Sequence, residues 1–234
     1  MAYIVGSNGD DYLVGTDHAD RFAPGRGYDY VFGGAGPDSL VLDYSAAGST
    51  SYSYAYVHSA GGSLNGFVQS GDGQNWVSFD SIERLEFKLD DGDGNFWLEG
   101  SGLGVGVTMD VDAGLGVDTL EADFSALGAI AFEIAANGKI KVNGSTFTNF
   151  ENYFLRFGSG SDTIKLGAGN DVALAGAGND IVDVGAGDDL VIAADGNDYV
   201  KGGDGNDTLY GEGGSNILIG GLGDDSLVSQ GIDI

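Results

Sequence analysis

The chain has 234 residues, 44 of them glycine, with no cysteine and a formal charge of −27 from 36 acidic against 9 basic side chains. That balance argues against nucleic acid and anionic membranes as partners, since both would be repelled, and in favour of cations. The lack of cysteine excludes disulfides and thiolate metal centres, and two histidines, His18 and His58, leave little material for zinc or a nucleophile–histidine pair.

No apolar run approaches the ~18 residues a membrane span needs. The N-terminus, MAYIVGSNGDD, lacks the basic start and long apolar core of a secretory signal peptide. Asp11, Asp20, Asp29 and Asp38 then fall nine residues apart, each followed two places on by Leu13, Phe22, Val31 or Leu40. "GGAGPDSLV" (Gly33–Val41) is the best copy, and "GTDHADRFA" puts His18 where the others carry glycine. Residues 1–41 are expected to form one repeat block.

Residues 42–157 read as two related β-strand excursions. "GPDSLVLDYSA" (Gly36–Ala46) matches "GVDTLEADFSA" (Gly116–Ala126), and "FDSIERLEFKL" (Phe79–Leu89) matches "FTNFENYFLRF" (Phe147–Phe157). "SYSYAYVH" and "RLEFKL" alternate in the manner of strands, and no amphipathic helix is evident. A partial repeat lies near 113–121, with Asp118 at its acidic position and Asp110 and Asp112 as further ligand candidates. "DDGDGNF" (Asp90–Phe96) sets Asp91, Asp93 and Asn95 at EF-hand spacing, but Phe96 stands where that loop needs glycine and Gly102 where it needs glutamate. An EF-hand, a repeat-like calcium turn and a solvated loop all remain open there.

From Phe157 to Val228 eight nonapeptides follow without a break in register. Their sixth positions are Asp162, Asp171, Asp180, Asp189, Asp198, Asp207, Asn216 and Asp225; their eighth are Ile164, Ala173, Val182, Val191, Val200, Leu209, Leu218 and Leu227. Disorder does not keep an apolar residue two places after every acid. The glycines at positions one, two and four are expected to supply the positive φ of tight turns. Their carbonyls and the carboxylates offer the hard oxygens that calcium prefers. Position eight should face in and positions seven and nine out. Six residues, 229–234, form a tail.

"GGDGNDTLY" (Gly202–Tyr210) resembles the GGxGxDxUx repeat of the RTX (repeats-in-toxin, haemolysin-type) family. The resemblance implies an all-β fold, a right-handed parallel β-roll or β-helix solenoid with two nonapeptides per coil. Turns 18 residues apart would then stack and share calcium. On that basis Asp162, Asp180 and Asp198 line one edge of the C-terminal roll, and Asp171, Asp189, Asp207 and Asp225 the other. Asn216 makes the 198/216 site weaker, and 11/29 and 20/38 are the N-terminal candidates. About eight calcium ions would reduce −27 to roughly −11. A roll of stacked aspartates should be unfolded without metal.

The resemblance also implies an extracellular or cell-surface protein, exported unfolded by a type I system without an N-terminal signal peptide. No HExxH or GxSxG occurs, and the leading expectation is a non-enzymatic structural protein that self-associates into a filament, surface layer or matrix. Its apolar outer faces, such as Val172, Leu174, Leu190 and Ile192, or Tyr12, Val14, Tyr30 and Phe32, are expected to cover the middle region or meet another subunit. An accessory or targeting module of a secreted enzyme is the alternative, in which paired carboxylates such as Glu83, Glu86 and Glu151 would form a glycosidase-like site. So is an adhesin that binds surface polysaccharide through Tyr52, Tyr54, Tyr56, Trp76 and Trp97.

Overall fold

A computed structural model describes residues 1–45, 53–60, 62–89, 91–100, 103 and 107–229. Tyr52, Ala46, Asp90, Gly102 and the tail beyond Ser229 therefore lie outside the described residues. Among those described there is no helix, and the strands run mostly parallel, as a β-roll requires. The chain divides into two compact units, residues 1–119 with 143–150, and residues 120–142 with 151–234.

In the first unit, one sheet stacks Tyr3–Val5, Arg21–Ala23, Ser39–Asp43, Arg84–Lys88, Thr108–Asp112 and Ser145–Thr148, every pair parallel. The facing strands begin as Tyr12–Val14, Gly27–Phe32 and Asn75–Ile82, also parallel. The first excursion then adds Ser63–Gln69 and Ser53–Ala60 antiparallel, before Gly94–Gly100 resumes parallel pairing. The excursion thus widens the sheet rather than leaving it. The segments Phe79–Leu89 and Phe147–Phe157, alike in sequence, are used differently: Phe79 pairs with Val31 while Phe147 pairs with Val111 in the opposite sheet.

Both excursions open the same way. Asp43 Oδ1 accepts from the Ser45 amide at 3.1 Å, and Asp123 Oδ1 from the Ser125 amide at 2.8 Å. Such turns end a strand locally, and they seat Tyr44 and Phe124 in their cores. Phe87 lies 6.0 Å from Tyr44 and 6.1 Å from Phe96 between ring centroids, and Phe96 lies 6.3 Å from Phe147. In the second unit Phe124, Phe132 and Phe157 form a mutual triad at 5.8–6.1 Å.

The second unit carries the C-terminal roll. Ala131–Glu133, Thr163–Lys165, Ile181–Ala186, Tyr199–Asp204 and Ile217–Leu222 make one sheet. Asn152–Arg156, Val172–Leu174, Leu190–Ile192, Thr208–Glu212 and Ser226–Ser229 run in the other. Within the repeats each pairing step is 18 residues, two nonapeptides to a coil. Position eight is fully buried from Ile164 to Leu209, as alternation requires. The expectation fails at the edge coil, where Leu227 is 49% exposed because no further coil covers it among the described residues.

Candidate calcium ladders

The turns set the site. From Gly169 on, positions two and four take positive φ, as at Gly203 (129°) and Gly205 (141°), and position two does so even as Ala194 (73°) or Glu212 (55°). Position one does not, which corrects the expectation for it. In five of the eight repeats it is instead a core residue: Phe157, Leu166, Ala175, Val184 and Ala193 are all buried. Where position one is glycine the reason is room, since a Cβ on Gly202 or Gly220 would strike Oδ2 of Asp207 or Asp225.

The position-six side chains form two continuous ladders. In one, the amides of Ile130, Asp162, Asp180 and Asp198 donate to Oδ1 of Asp162, Asp180, Asp198 and Asn216, at 2.7–2.9 Å. In the other, the amides of Tyr153, Asp171, Asp189 and Asp207 donate to Oδ1 of Asp171, Asp189, Asp207 and Asp225, at 2.7–3.0 Å. Each rung is doubled by the main chain, as where the Leu190 amide donates to the Asp171 carbonyl at 2.9 Å. The structure therefore brings together the aspartate pairs that the 18-residue spacing groups.

One oxygen per carboxylate is left over. Oδ2 of Asp162, Asp171, Asp180, Asp189, Asp198 and Asp207 is buried with no hydrogen-bond partner, on residues no more than 3% exposed. An unpartnered buried carboxylate oxygen is costly. Loss of water pushes the Asp171 carboxyl up to about 7 and those of Asp180 and Asp189 up to about 6, in each case against the effect of the amide it accepts. Oxygen donors that lack a partner, in glycine turns whose carbonyls also stack, fit a hard divalent cation. Among the described residues no three acidic or imidazole side chains cluster, so side chains alone do not complete a cage. Asn216 keeps the Oδ1 rung but turns its amide nitrogen toward the Gly213 carbonyl at 3.4 Å, so a charge is missing at 198/216.

The first unit is more varied. Asp11 and Asp20 donate their amides to Oδ1 of Asp29 and Asp38 at 2.9 and 2.7 Å, and Oδ2 of Asp29 and Asp38 is orphaned as in the C-terminal roll. Asp11 and Asp20 differ: Oδ2 of the first accepts from the amide and hydroxyl of Ser7, and Oδ2 of the second from those of Thr16. A hydroxyl at position two closes these carboxylates onto their own turns. The turn with His18 forms, and Gly36 stacks above it. Asp118 is fully buried against Gly94.

Residues 91–96 of "DDGDGNF" are neither EF-hand nor plain loop. A Cβ on Gly116 would meet the carbonyl of Gly92, and Asp93 Oδ1 accepts the Val117 amide at 2.9 Å, so the segment is a repeat-type turn stacked on 113–118 with Gly94 at position six. Asp110 instead pairs with Arg84 at 2.8 Å, and Asp112 accepts from Asn149 at 2.7 Å. Glu86 is held by Arg21 and Arg84 at 3.1 and 3.2 Å.

Position five carries a further ladder that the repeat pattern did not suggest. The amides of Asn170, Asp188, Asn206 and Asp224 donate back to side-chain oxygens of Asn152, Asn170, Asp188 and Asn206 at 2.8–3.1 Å. Those of Asn179, Asn197 and Ser215 do the same to Ser161, Asn179 and Asn197. Its signal in the sequence is the run of Asn, Asp and Ser before every position-six residue.

Residues 3–31, 158–191 and 192–227 match the model of the RTX calcium-binding nonapeptide repeat, in four copies. The chain carries RTX calcium-binding nonapeptide repeats. No curated protein matches it significantly. The RTX matches fall within the two blocks of stacked glycine turns and leave 32–157 unmatched; beyond Val41 antiparallel strands and a shortened turn break the period. The repeats are calcium-binding repeats, and Ca2+ would supply the positive partner that the buried Oδ2 atoms lack. Asp29, Asp38, Asp162, Asp171, Asp180, Asp189, Asp198 and Asp207 are the residues whose free oxygen would hold it.

Proposed function

We propose that this RTX chain is an extracellular, non-enzymatic structural protein that folds on binding Ca2+ outside the cell and then self-associates. The observation that carries the reading is the column of buried, unpartnered Oδ2 atoms, whose charge a bound cation would stabilise at neutral pH. Scarce calcium inside a cell and abundant calcium outside suit weak sites of this kind. RTX repeat proteins are generally exported by type I systems, and unfolded export followed by metal-driven folding agrees with sites that exist only in the folded chain.

Self-association is supported by the edge coils. In the second unit Ile217, Ile219, Leu222 and Leu227 are 39–69% exposed, and in the first Tyr3, Val5, Tyr12 and Val14 are 49–72% exposed. Exposed apolar strands with open backbone edges pair readily with another chain. Light scattering across a concentration series in millimolar calcium tests this: growth of a polymer is expected, and a concentration-independent monomer contradicts it.

A second reading, a polysaccharide binder, draws on the first unit's outer face. Tyr12, Tyr30, Ser78, Phe67, Tyr56 and Trp97 share one register row. A cleft of about 500 Å³ opens over Ser78 beside Tyr30, Phe67 and Tyr56, lined also by His58, Asn65 and Asp80. Retention on a polysaccharide column that Tyr56→Ala abolishes, with calcium-induced folding unchanged, favours this reading.

A further inference from the structure

The aspartate ladder of the first unit does not stop where the nonapeptides stop. Strand register sets Arg84 opposite Ser39, which follows Asp38, and so sets Glu83 opposite Asp38 itself. The bonds repeat those of every other rung. The Asp38 amide donates to Glu83 Oε2 at 2.7 Å, as the Asp20 amide donates to Asp38 Oδ1 at 2.7 Å. The Arg84 amide donates to the Asp38 carbonyl at 2.9 Å, as the Ser39 amide donates to the Asp20 carbonyl at 2.8 Å.

Glutamate in place of aspartate follows from the shape of the turn. Gly33 and Asp38 are five residues apart, but in the next coil only two separate Ser81 from Glu83. Ser81, at φ 57°, makes the sharp bend. The extra methylene of glutamate restores the reach that the shortened turn removes.

The same place holds unsatisfied oxygen. Asp38 is fully buried, and its Oδ2 has no partner. Where a side chain would begin on Gly33, the nearest atoms are the Ser81 carbonyl and, at 3.0 Å, Asp38 Oδ2. A carbonyl oxygen and a free carboxylate oxygen therefore converge beside a second carboxylate. The next residue in this column is Val107, opposite Glu83 by the pairing of Arg84 with Thr108, so the ladder of acids ends here.

We propose that Asp38 Oδ2, the Ser81 carbonyl and Glu83 form an additional calcium site outside the nonapeptide pattern, closing the ladder on the strand Arg84–Lys88. It rests on the calcium reading above, and its test separates the two. Calcium ions bound to the full chain are counted by native mass spectrometry for the unaltered protein, Glu83→Gln and Asp189→Asn, with circular dichroism in calcium reporting folding. Glu83→Gln keeps an acceptor for the Asp38 amide and removes the charge, so one ion fewer is expected with the β-signal retained. Adding Glu83→Gln to Asp38→Asn should remove no further ion. If Glu83→Gln does not fold, Glu83→Asp, one methylene too short for the bent turn, is counted instead, with the same loss expected.

A full complement of ions in the folded Glu83 variant, alongside a loss in Asp189→Asn, overturns this site alone. No ions on the unaltered chain overturns the calcium reading itself.

Discussion

Gly187 and Ala194 show how the turns depend on single residues. Gly187 has φ 136°, a value that side chains resist, and a Cβ there would strike the Gly169 carbonyl of the coil before. Gly187→Ala should cost about 1–3 kcal/mol in the calcium-loaded state, measured by denaturant unfolding. Ala194 holds φ 73° where most repeats have glycine, so Ala194→Gly should stabilise the roll by about 1 kcal/mol. Protonation has its own sign. Burial raises the carboxyls of Asp171, Asp180 and Asp189 to about 6–7, above the ordinary 3.8, so the metal-free folded chain holds more protons than the unfolded one. In chelator, stability should therefore fall as pH rises from about 4 to about 7, and circular dichroism at fixed mild denaturant should show more β-structure at pH 5 than at pH 8. A roll in chelator that gains stability over that window contradicts this account of the buried carboxylates.

Among the elements, the position-five ladder and the calcium ladder run in opposite senses, the first taking amides from the coil after and the second from the coil before. The first uses exposed side chains and no metal. Asn197→Ala removes the acceptor of the Ser215 amide and should cost about 0.5–1.5 kcal/mol while leaving the calcium count unchanged. The repeats were legible in the sequence because one period fixes turn, strand and facing together: Asp189 behind Gly187 and ahead of Val191 leaves little freedom. The place of Glu83 in the ladder was not legible, since it comes from strand register after a shortened turn, and in the sequence Glu83 stood out only as one of three acids weighed for glycosidase chemistry. Gly94 was hidden for a related reason: its turn lacks the very acid that marks the others. The unlike placement of Phe79 and Phe147 shows that similar excursions take their sheet from the coil they rejoin.

For the whole molecule, a charge of −27 and six orphaned carboxylate oxygens in the C-terminal roll oppose folding until cations arrive. Among the described residues few ion pairs relieve it; Lys201–Asp183 at 3.1 Å and the Arg21–Glu86–Arg84–Asp110 chain lie at the surface, where each contributes little. The interior of the C-terminal roll is modest, with Ala173, Val182, Val191 and Val200 along its axis, so hydrophobic burial there leaves a large share of the stability to metal. Replacing Asp189 by alanine should weaken the sites on both sides of it in one ladder and leave the other ladder loaded. The most direct test is far-ultraviolet circular dichroism during a calcium titration of the chelator-treated chain. Growth of the β-signal with calcium, reversed by chelator, is the predicted result; a β-signal equally strong in chelator would contradict the account.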